Sequence, residues 1–171
     1  MKTATDDEVR KEAMKLRDIC REKGCMLILD DRVELCKELG LDGVHLGQND
    51  MPVPQARQIL GEEAVIGATA NTPEQAIKAA RDGADYLGIG PFRFTTTKEK
   101  LAPVLGSEGL RQIVDALRND MRKIPTVAIG GITRDDIDEV MDTGVSGVAV
   151  SGAVLNAENP ESMMRNFLES Y

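Results

Sequence analysis

Short runs of apolar residues alternate along the chain with longer amphipathic segments, and this alternation constrains the fold more than any other feature. The six runs lie at residues 26–29, 43–47, 64–70, 86–90, 125–130 and 147–151. Each run is nearly continuous in apolar residues, which is typical of strands that are buried on both faces of a parallel sheet. The chain is therefore predicted to fold as repeated βα units.

The segments between these runs have helical periodicity. They predict helices at residues 6–23, 31–39, 53–60, 73–82, 107–119, 134–142 and 160–169. Two of these helices follow a threonine that can cap free backbone amides, Thr72 and Thr133. The boundaries of the βα units are thus marked by side-chain chemistry as well as by periodicity.

A weak internal repeat supports this interpretation. A glycine, a short polar residue and then a strand recur at residues 39–47, 82–90 and 143–151. Such units favour a (β/α) barrel over an α+β fold. A closed eight-unit barrel usually needs more than about 200 residues, whereas this chain has 171. We therefore predict one α/β domain over residues 1–171, a TIM-type barrel with six of its eight strands visible.

The composition argues against several classes of function. The net charge is −8 and no long basic cluster is present, so a nucleic-acid partner is not expected. No segment approaches the roughly 20 apolar residues that span a bilayer, and residues 1–10 lack the apolar core of a signal peptide. The expected location is the cytoplasm, without a membrane partner.

The cysteines and the single histidine are not expected to perform chemistry. Cys20, Cys25 and Cys36 are odd in number and are not at zinc-ligand spacing with His45, so they are predicted to be reduced packing residues. His45 lies within a predicted strand, where a structural histidine is favoured over a catalytic base. No residue set for nucleophilic catalysis is evident.

Two aspartates follow neighbouring runs at the point where the reacting groups of a barrel lie. Asp31 comes after the first run and Asp50 after the second. Carboxylates at the ends of adjacent strands can share a hard cation, and Mg²⁺ fits two carboxylates completed by waters and phosphates. The alternative is that each aspartate caps the helix that it opens.

Small and hydroxyl residues after the later runs suggest phosphate binding. Gly-Gly-Ile-Thr at 130–133 and Ser-Gly-Ala at 151–153 can bring backbone amides close to an anion. Two tight turns without a ligand are the alternative. The long segment 91–106 predicts a second anion contact or a lid, against a plain surface loop. Its polar residues are Thr95, Thr96, Thr97 and Lys98.

Seven motifs follow one another over nearly the whole chain. They are LDDRV at 29–33, DGVHLGQND at 42–50, IGAT at 66–69, DGADYLGIGP at 82–91, TTTK at 95–98, VAIGGIT at 127–133 and GVAVS at 147–151. In this order they resemble the thiamine phosphate synthase family, also called thiamine-phosphate pyrophosphorylase. The combination is specific, although the Gly-Gly turn alone occurs in many phosphate-binding barrels.

The resemblance implies a transferase with two small-molecule substrates. It would couple 4-amino-2-methyl-5-pyrimidinylmethyl diphosphate to 4-methyl-5-(2-phosphoethyl)thiazole, releasing pyrophosphate in a dissociative substitution. By family position, Asp31 and Asp50 are implied to bind Mg²⁺. Lys98 and Thr69 are the implied catalytic residues, with Lys98 on the diphosphate and Thr69 where the family commonly has Ser. The positions implied to hold the thiazole phosphate are Thr95, Thr96, Thr97, Gly131, Ser151 and Gly152.

The chain departs from the family pattern in two places. Asp30 replaces the usual Asn beside the metal-binding aspartate and adds a carboxylate near the diphosphate. The family also begins with two further strands, the second carrying Gln-x-Arg-x-Lys, of which only Lys2 has a counterpart here. We therefore expect an N-terminally shortened barrel with an unpaired sheet edge, which invites partner pairing, domain swapping or aggregation and leaves the oligomeric state open, a homo-oligomer included.

Two other functions remain open from the sequence. The related thiazole tautomerases share the barrel but generally lack the paired carboxylates and use a His near the position of Asn71. A catalytically incomplete barrel that only binds phosphate is the second alternative, since fold alone does not decide function. Binding of Mg²⁺ and of the pyrimidine diphosphate distinguishes the synthase from both.

Overall fold

Helices and parallel strands alternate along the chain as predicted. The computed structural model describes residues 4–94, 103–121 and 123–169. The strands are β1 (Ile28–Asp30), β2 (Gly43–Leu46), β3 (Val65–Ala70), β4 (Tyr86–Ile89), β5 (Thr126–Ile129) and β6 (Gly147–Ala149). The helices are α1 (Asp6–Lys23), α2 (Val33–Leu39), α3 (Val53–Leu60), α4 (Pro73–Arg81), α5 (Gly106–Asn119), α6 (Ile137–Met141), α7 (Gly152–Leu155) and α8 (Pro160–Leu168). A 3₁₀ turn at Arg134–Asp136 precedes α6.

The strands form a six-stranded sheet in chain order, from β1 to β6. In the pairs β1–β2, β2–β3, β4–β5 and β5–β6 the strands are parallel. The predicted α/β fold and the six predicted strands are thus confirmed. The eight strands of a complete TIM barrel are not found among the described residues.

The chain comprises two compact units, Met1–Ala68 with Arg81–Asp85, and Thr69–Ala80 with Tyr86–Tyr171. In the first unit, α1 and α2 pack through a cluster of Val9, Ala13, Leu35 and Leu39. The second unit buries Leu87 and Ile89 of β4 and an apolar stripe of α5 and α6. The most deeply buried residues of that stripe are Leu110, Ile113, Ile137 and Val140.

A recurring hydrogen bond explains the internal repeat. In each copy, the polar residue just before the strand accepts a hydrogen bond from a backbone amide at or next to the start of the preceding strand. The three bonds join Leu27 N to Asp42 Oδ2 at 2.7 Å, Ile66 N to Asp85 Oδ2 at 2.7 Å and Thr126 N to Ser146 Oγ at 3.1 Å. The repeat therefore encodes a clamp that ties neighbouring strands at their amino ends.

Three local predictions need correction. The helix predicted from residue 31 begins at Val33, because Asp31 has a left-handed φ of 65° that cannot continue a helix. The segment 134–142 is divided into the 3₁₀ turn and α6, and the short α7 was not predicted. Four residues are too few to show helical periodicity.

The cysteines occupy three different environments. Cys36 is buried and its Sγ lies 3.3 Å from Gly43 O; burial raises the pKa of its thiol to about 11. Cys20 is half-buried, but Cys25 is exposed, so its prediction as a packing residue was wrong. All three are free thiols, as expected.

Across the described ranges, none of the helices combines the length and the apolar composition needed to cross a bilayer.

Candidate active site

Asp31 is held at the carboxyl end of β1 by backbone geometry. Its N–H donates to His45 O at 3.1 Å, a bond that belongs to the pairing of Asp30 in β1 with His45 in β2. The φ of 65° at Asp31 is uncommon for a residue with a Cβ, although aspartate adopts it more readily than most. Asp30, the last residue of β1, is exposed. The strand end thus places two successive carboxylates beside β2.

Asp50 closes the turn that follows β2. Its Oδ2 accepts a hydrogen bond from Gly47 N at 2.6 Å, and its own N–H donates to Gly47 O at 3.2 Å. A Cβ on Gly47 would lie only 2.7 Å from Oδ2, so a side chain there would displace the carboxylate. The carboxylate is therefore held by its own turn.

Neither aspartate caps the helix that follows it. The N-cap residues of α2 and α3 are Arg32 and Pro52, and neither helix start has a side-chain cap. The capping alternative for Asp31 and Asp50 is therefore wrong. Both residues instead follow the adjacent strands β1 and β2.

The donor set at this edge fits Mg²⁺. Two carboxylates leave several positions for waters and substrate phosphates, which is how Mg²⁺ is usually bound. Within the described residues, no group of three or more His, Cys, Asp or Glu side chains could hold a metal ion. The edge therefore lacks the additional protein ligands of a closed site.

Two polar residues mark the carboxyl end of β3 in the second unit. Thr69 is the next-to-last residue of the strand and is 8% exposed. Asn71 Nδ2 donates to Gly90 O at 2.5 Å, and Asn71 N donates to Gln75 Oε1 at 2.7 Å. The Asn71 side chain thus ties its loop to the residue that follows β4.

The turn after β5 brings two backbones close together. Gly130 and Gly131 have φ values of 98° and 70°. A Cβ on Gly130 would lie 2.7 Å from Pro91 Cβ, and one on Gly131 would lie 3.0 Å from Arg93 Cβ. Glycine is needed at both positions for conformation and for space. Gly131 is also exposed, so its backbone is accessible to an anion.

Ser151 and Gly152 lie at the start of α7, close after β6. Both are exposed, and the Ser151 side chain makes no capping hydrogen bond. Because β6 pairs with β5 through Ala149 and Ile129, the turns after these strands start from neighbouring strand ends. Ser151, Gly152 and Gly131 therefore belong to one edge of the second unit's sheet.

The sequence did not reveal an ion pair at this edge. Arg93 Nη1 and Nη2 donate to the two oxygens of Asp136 at 2.9 and 2.7 Å. Thr133 N and Oγ1 both donate to Asp136 Oδ2 at 2.8 Å. Burial would raise the pKa of Asp136, but the hydrogen bonds from Arg93 and Thr133 lower it below the ordinary 3.8. No sequence signal marks this pair, because its partners are 43 residues apart.

The remaining predicted site residues lie outside the described residues. They are Lys2, Thr95, Thr96, Thr97 and Lys98. Their roles stay predictions, and so do those of Asp30, Asp31, Asp50, Thr69, Gly131, Ser151 and Gly152.

Comparison with known proteins points to one family. Its model, described as thiamine monophosphate synthase, matches residues 1–154. The thiamine-phosphate synthase of Bacteroides thetaiotaomicron is 54% identical over 168 residues, which are 98% of this chain and 80% of that protein. The thiamine-phosphate synthase of Flavobacterium psychrophilum is 45% identical over 159 residues, or 93% of this chain and 77% of the relative.

A solved structure is similar over the same range. The thiamine phosphate pyrophosphorylase from Pyrococcus furiosus is 40% identical and matches with a TM-score of 0.87. The match covers 99% of this chain and 78% of that one. The sequence and structure comparisons therefore agree on the same family.

Proposed function

The chain belongs to the thiamine monophosphate synthase family, and we propose that it couples 4-amino-2-methyl-5-pyrimidinylmethyl diphosphate to 4-methyl-5-(2-phosphoethyl)thiazole. The products are thiamine phosphate and pyrophosphate. Relatives that are 54% and 52% identical are named thiamine-phosphate synthases, so the chain is an enzyme of the transferase class.

The observation that carries this proposal is the pair of aspartates at adjacent strand ends. Asp31 and Asp50 follow β1 and β2, and neither is used as a helix cap. Asp50 is oriented by Gly47, and Asp31 by its pairing with the end of β2. This arrangement favours binding of a divalent cation and a diphosphate over a pair of turns that bind no ligand.

The reaction requires one bond to break and one to form. The bond between the pyrimidine methylene carbon and the diphosphate oxygen breaks, and its electron pair leaves with the diphosphate. The thiazole nitrogen donates its lone pair to the same carbon, and no proton is transferred. Mg²⁺ held by Asp31 and Asp50 would supply positive charge beside the leaving group.

The side chains and amides of this chain have separate tasks in that scheme. Asp31 and Asp50 hold the cation, while Lys98 donates to the diphosphate as negative charge accumulates there. Backbone groups at Gly131 and Gly152, with the Ser151 hydroxyl, hold the thiazole phosphate and place its nitrogen. Thr69 and Lys2 contact the pyrimidine diphosphate, and Thr95, Thr96 and Thr97 contact the thiazole phosphate.

Pyrophosphate release by the chain tests the proposal. Both substrates and Mg²⁺ are supplied, with controls that omit Mg²⁺ or one substrate. Release that requires all three components is expected. Binding of the thiazole phosphate without release would contradict the synthase and favour a phosphate-binding barrel. Turnover of the thiazole compound alone would favour the tautomerase.

The assembly and location of the protein are also proposals. We propose that the chain acts in the cytoplasm as one domain. We also propose that it forms a homo-oligomer, since β1 and β6 are the edge strands of the described sheet and an edge strand presents backbone groups to a partner. Light scattering during size-exclusion chromatography measures the oligomeric state directly, and a monomer at micromolar concentration would contradict the homo-oligomer.

A further inference from the structure

Helix α1 ends in a backbone cap that carries two cysteines. The N–H of Gly24 donates to Arg21 O at 3.3 Å, and the N–H of Cys25 donates to Cys20 O at 2.9 Å. Gly24 itself has a left-handed φ of 66°. These features define a Schellman motif, in which the side chains at the positions of Cys20 and Cys25 frequently touch. We call Cys20, Gly24 and Cys25 the cysteine cap.

The hydrogen bond between Cys25 N and Cys20 O brings the two Cα atoms within reach of a disulfide. With standard backbone bond lengths, the N···O distance of 2.9 Å limits the Cα separation to at most about 6.8 Å. The separation is shorter than this limit because the chain bends at the carbonyl and at the amide. Disulfides join Cα atoms that are roughly 4.4 to 6.8 Å apart. The cap therefore holds the two cysteines at a separation that a disulfide can span.

Helix α2 ends in the same motif and shows how far a sulfur reaches there. Gly40 N donates to Lys37 O at 3.2 Å, Leu41 N donates to Cys36 O at 3.1 Å, and the φ of Gly40 is 58°. Cys36 thus occupies the first cysteine position of the motif and Leu41 the second. Cys36 Sγ lies 4.0 Å from Leu41 O. A cysteine at the first position therefore reaches the residue at the second.

The thiols of the cysteine cap differ in their access to solvent. Cys25 is exposed, and its Sγ lies 3.8 Å from Lys23 O at the end of α1. Cys20 is half-buried. Cys36 is buried, and burial raises the pKa of its thiol to about 11, so it is an inert thiol. An oxidant in solution therefore meets Cys25 first, and Cys20 is placed to react second.

We propose that the cysteine cap is a dithiol site, in which Cys20 and Cys25 form a disulfide when they meet a low-molecular-weight disulfide such as glutathione disulfide. The Cys25 thiolate attacks one sulfur of the oxidant, releases one thiolate and leaves a mixed disulfide. The Cys20 thiolate then attacks the Cys25 sulfur and releases the second thiolate. The oxidant gains two electrons and becomes two thiols, which take up the two protons that the cysteines lose.

This disulfide is expected to be easily reduced. The Cys25 sulfur is exposed, so a reducing thiol reaches it, and exposed disulfides are the labile ones. The loop that the bond closes runs only from residue 20 to residue 25, and short loops gain the least stability from a disulfide. The state of the cysteine cap should therefore follow the ratio of thiol to disulfide around it.

Tryptic peptides identify which cysteines are joined. Cleavage after arginine and lysine places Cys20 in the peptide 18–21, Cys25 in 24–32 and Cys36 in 33–37. The native chain is equilibrated with mixtures of glutathione and glutathione disulfide, and the remaining thiols are blocked with N-ethylmaleimide. We expect the peptides 18–21 and 24–32 to be linked, in a monomer whose intact mass is lowered by two hydrogens. Dithiothreitol is expected to restore both thiols.

Cys20→Ser tests the second step of the reaction. Without Cys20, the mixed disulfide on Cys25 cannot be resolved within the chain. It should accumulate about ten-fold or more above its level in the parent, because an intramolecular thiol acts at a high effective concentration. Cys36→Ala is the matched control, since it removes a thiol and keeps the cysteine cap. It is expected to form the disulfide to the same extent as the parent chain.

Three results would overturn the dithiol site. The first is a parent chain that carries no disulfide, or only the mixed disulfide on Cys25, even in excess glutathione disulfide. The second is a bond to Cys36, or a link between the peptides 18–21 and 24–32 that occurs only in covalent dimers. The third is an equal level of mixed disulfide in the parent and in Cys20→Ser. None of these measurements uses synthase activity, so failure of the proposed function does not affect them.

Discussion

The turn after β2 and the turn after β5 are stabilised in opposite ways. Asp50 closes its turn by bonding to Gly47, three residues earlier. The Gly130–Gly131 turn instead lies against a segment about 40 residues earlier in the chain and is held to it by Arg93 and Asp136. The first turn is a local structure that carries one of the proposed metal ligands, whereas the second depends on packing against a distant segment. A substitution in the first turn should therefore be able to lower turnover without lowering the unfolding free energy. A substitution in the second turn should lower substrate affinity and unfolding free energy together.

The largest expected effect is on the first turn. Asp50→Asn keeps the oxygen that accepts from Gly47 and removes the charge that a cation requires. We expect turnover to fall about 100-fold or more, since loss of metal-based charge stabilisation has effects of this order. Asp50→Ala should lose as much activity and in addition about 1 kcal/mol of unfolding free energy.

Pyrophosphate release and urea unfolding measure these two quantities. If Asp50→Asn has the turnover of the parent chain, Asp50 does not belong to the metal site.

The second turn should lose affinity and stability together. In Gly131→Ala the new Cβ lies 3.0 Å from Arg93 Cβ, which crowds the turn. Residue 131 also keeps its left-handed φ of 70°, which is strained for alanine. We expect the KM for the thiazole phosphate to rise about ten-fold, with about 1 kcal/mol or more of stability lost.

Gly24→Ala is the matched control, because its φ is 66° but nothing lies within 4 Å of the added Cβ. It should lose about 1 kcal/mol of stability by strain alone and keep the parent KM. Equal KM values in Gly131→Ala and Gly24→Ala would show that the close approach to Arg93 has no functional role.

The strand clamps allow the same comparison away from the site. In the first unit, Asp85 Oδ2 accepts from Ile66 N at 2.7 Å and from Arg57 Nη2 at 2.7 Å. In the second, Ser146 Oγ accepts from Thr126 N at 3.1 Å. Asp85→Ala should cost about 1–3 kcal/mol and Ser146→Ala about 0.5–1.5 kcal/mol, because the charged acceptor has more partners. Urea unfolding measures both losses. A larger loss in Ser146→Ala than in Asp85→Ala would show that the charge of Asp85 adds no stability.

The smallest expected effect concerns acid stability. Because the pKa of Asp136 is lower in the folded protein than its ordinary value of 3.8, its charge stabilises the fold at pH above that value. The contribution is lost as the pH falls from about 4 through the folded pKa.

Asp136→Asn keeps an oxygen for Thr133 but has no charge to lose. The difference in unfolding free energy between the parent and Asp136→Asn should therefore be constant at neutral pH and shrink below about pH 4. A difference that stays the same at pH 3 would show that the ion pair with Arg93 does not contribute through charge.

The sequence by itself determined the parts of this protein that depend on neighbours in the chain. The helices Asp6–Lys23 and Val53–Leu60 have their predicted boundaries, and the six strands lie within two residues of the predicted runs. Apolar periodicity and capping chemistry act over a few residues, so they can be read without the fold. The aspartates at the ends of β1 and β2 and the glycines after β5 were found for the same reason.

Only the tertiary structure decided which distant residues support those positions. Arg93 meets Asp136 across 43 residues, Asn71 meets Gly90 across 19, and the left-handed φ of Asp31 occurs where its N–H pairs with the end of β2. None of these contacts has a local pattern, because the free energy of each arises only when the two chain segments are already packed together. Local patterns in the sequence therefore predicted which residues lie at the strand ends, and only the packing of distant segments decided which partners hold them.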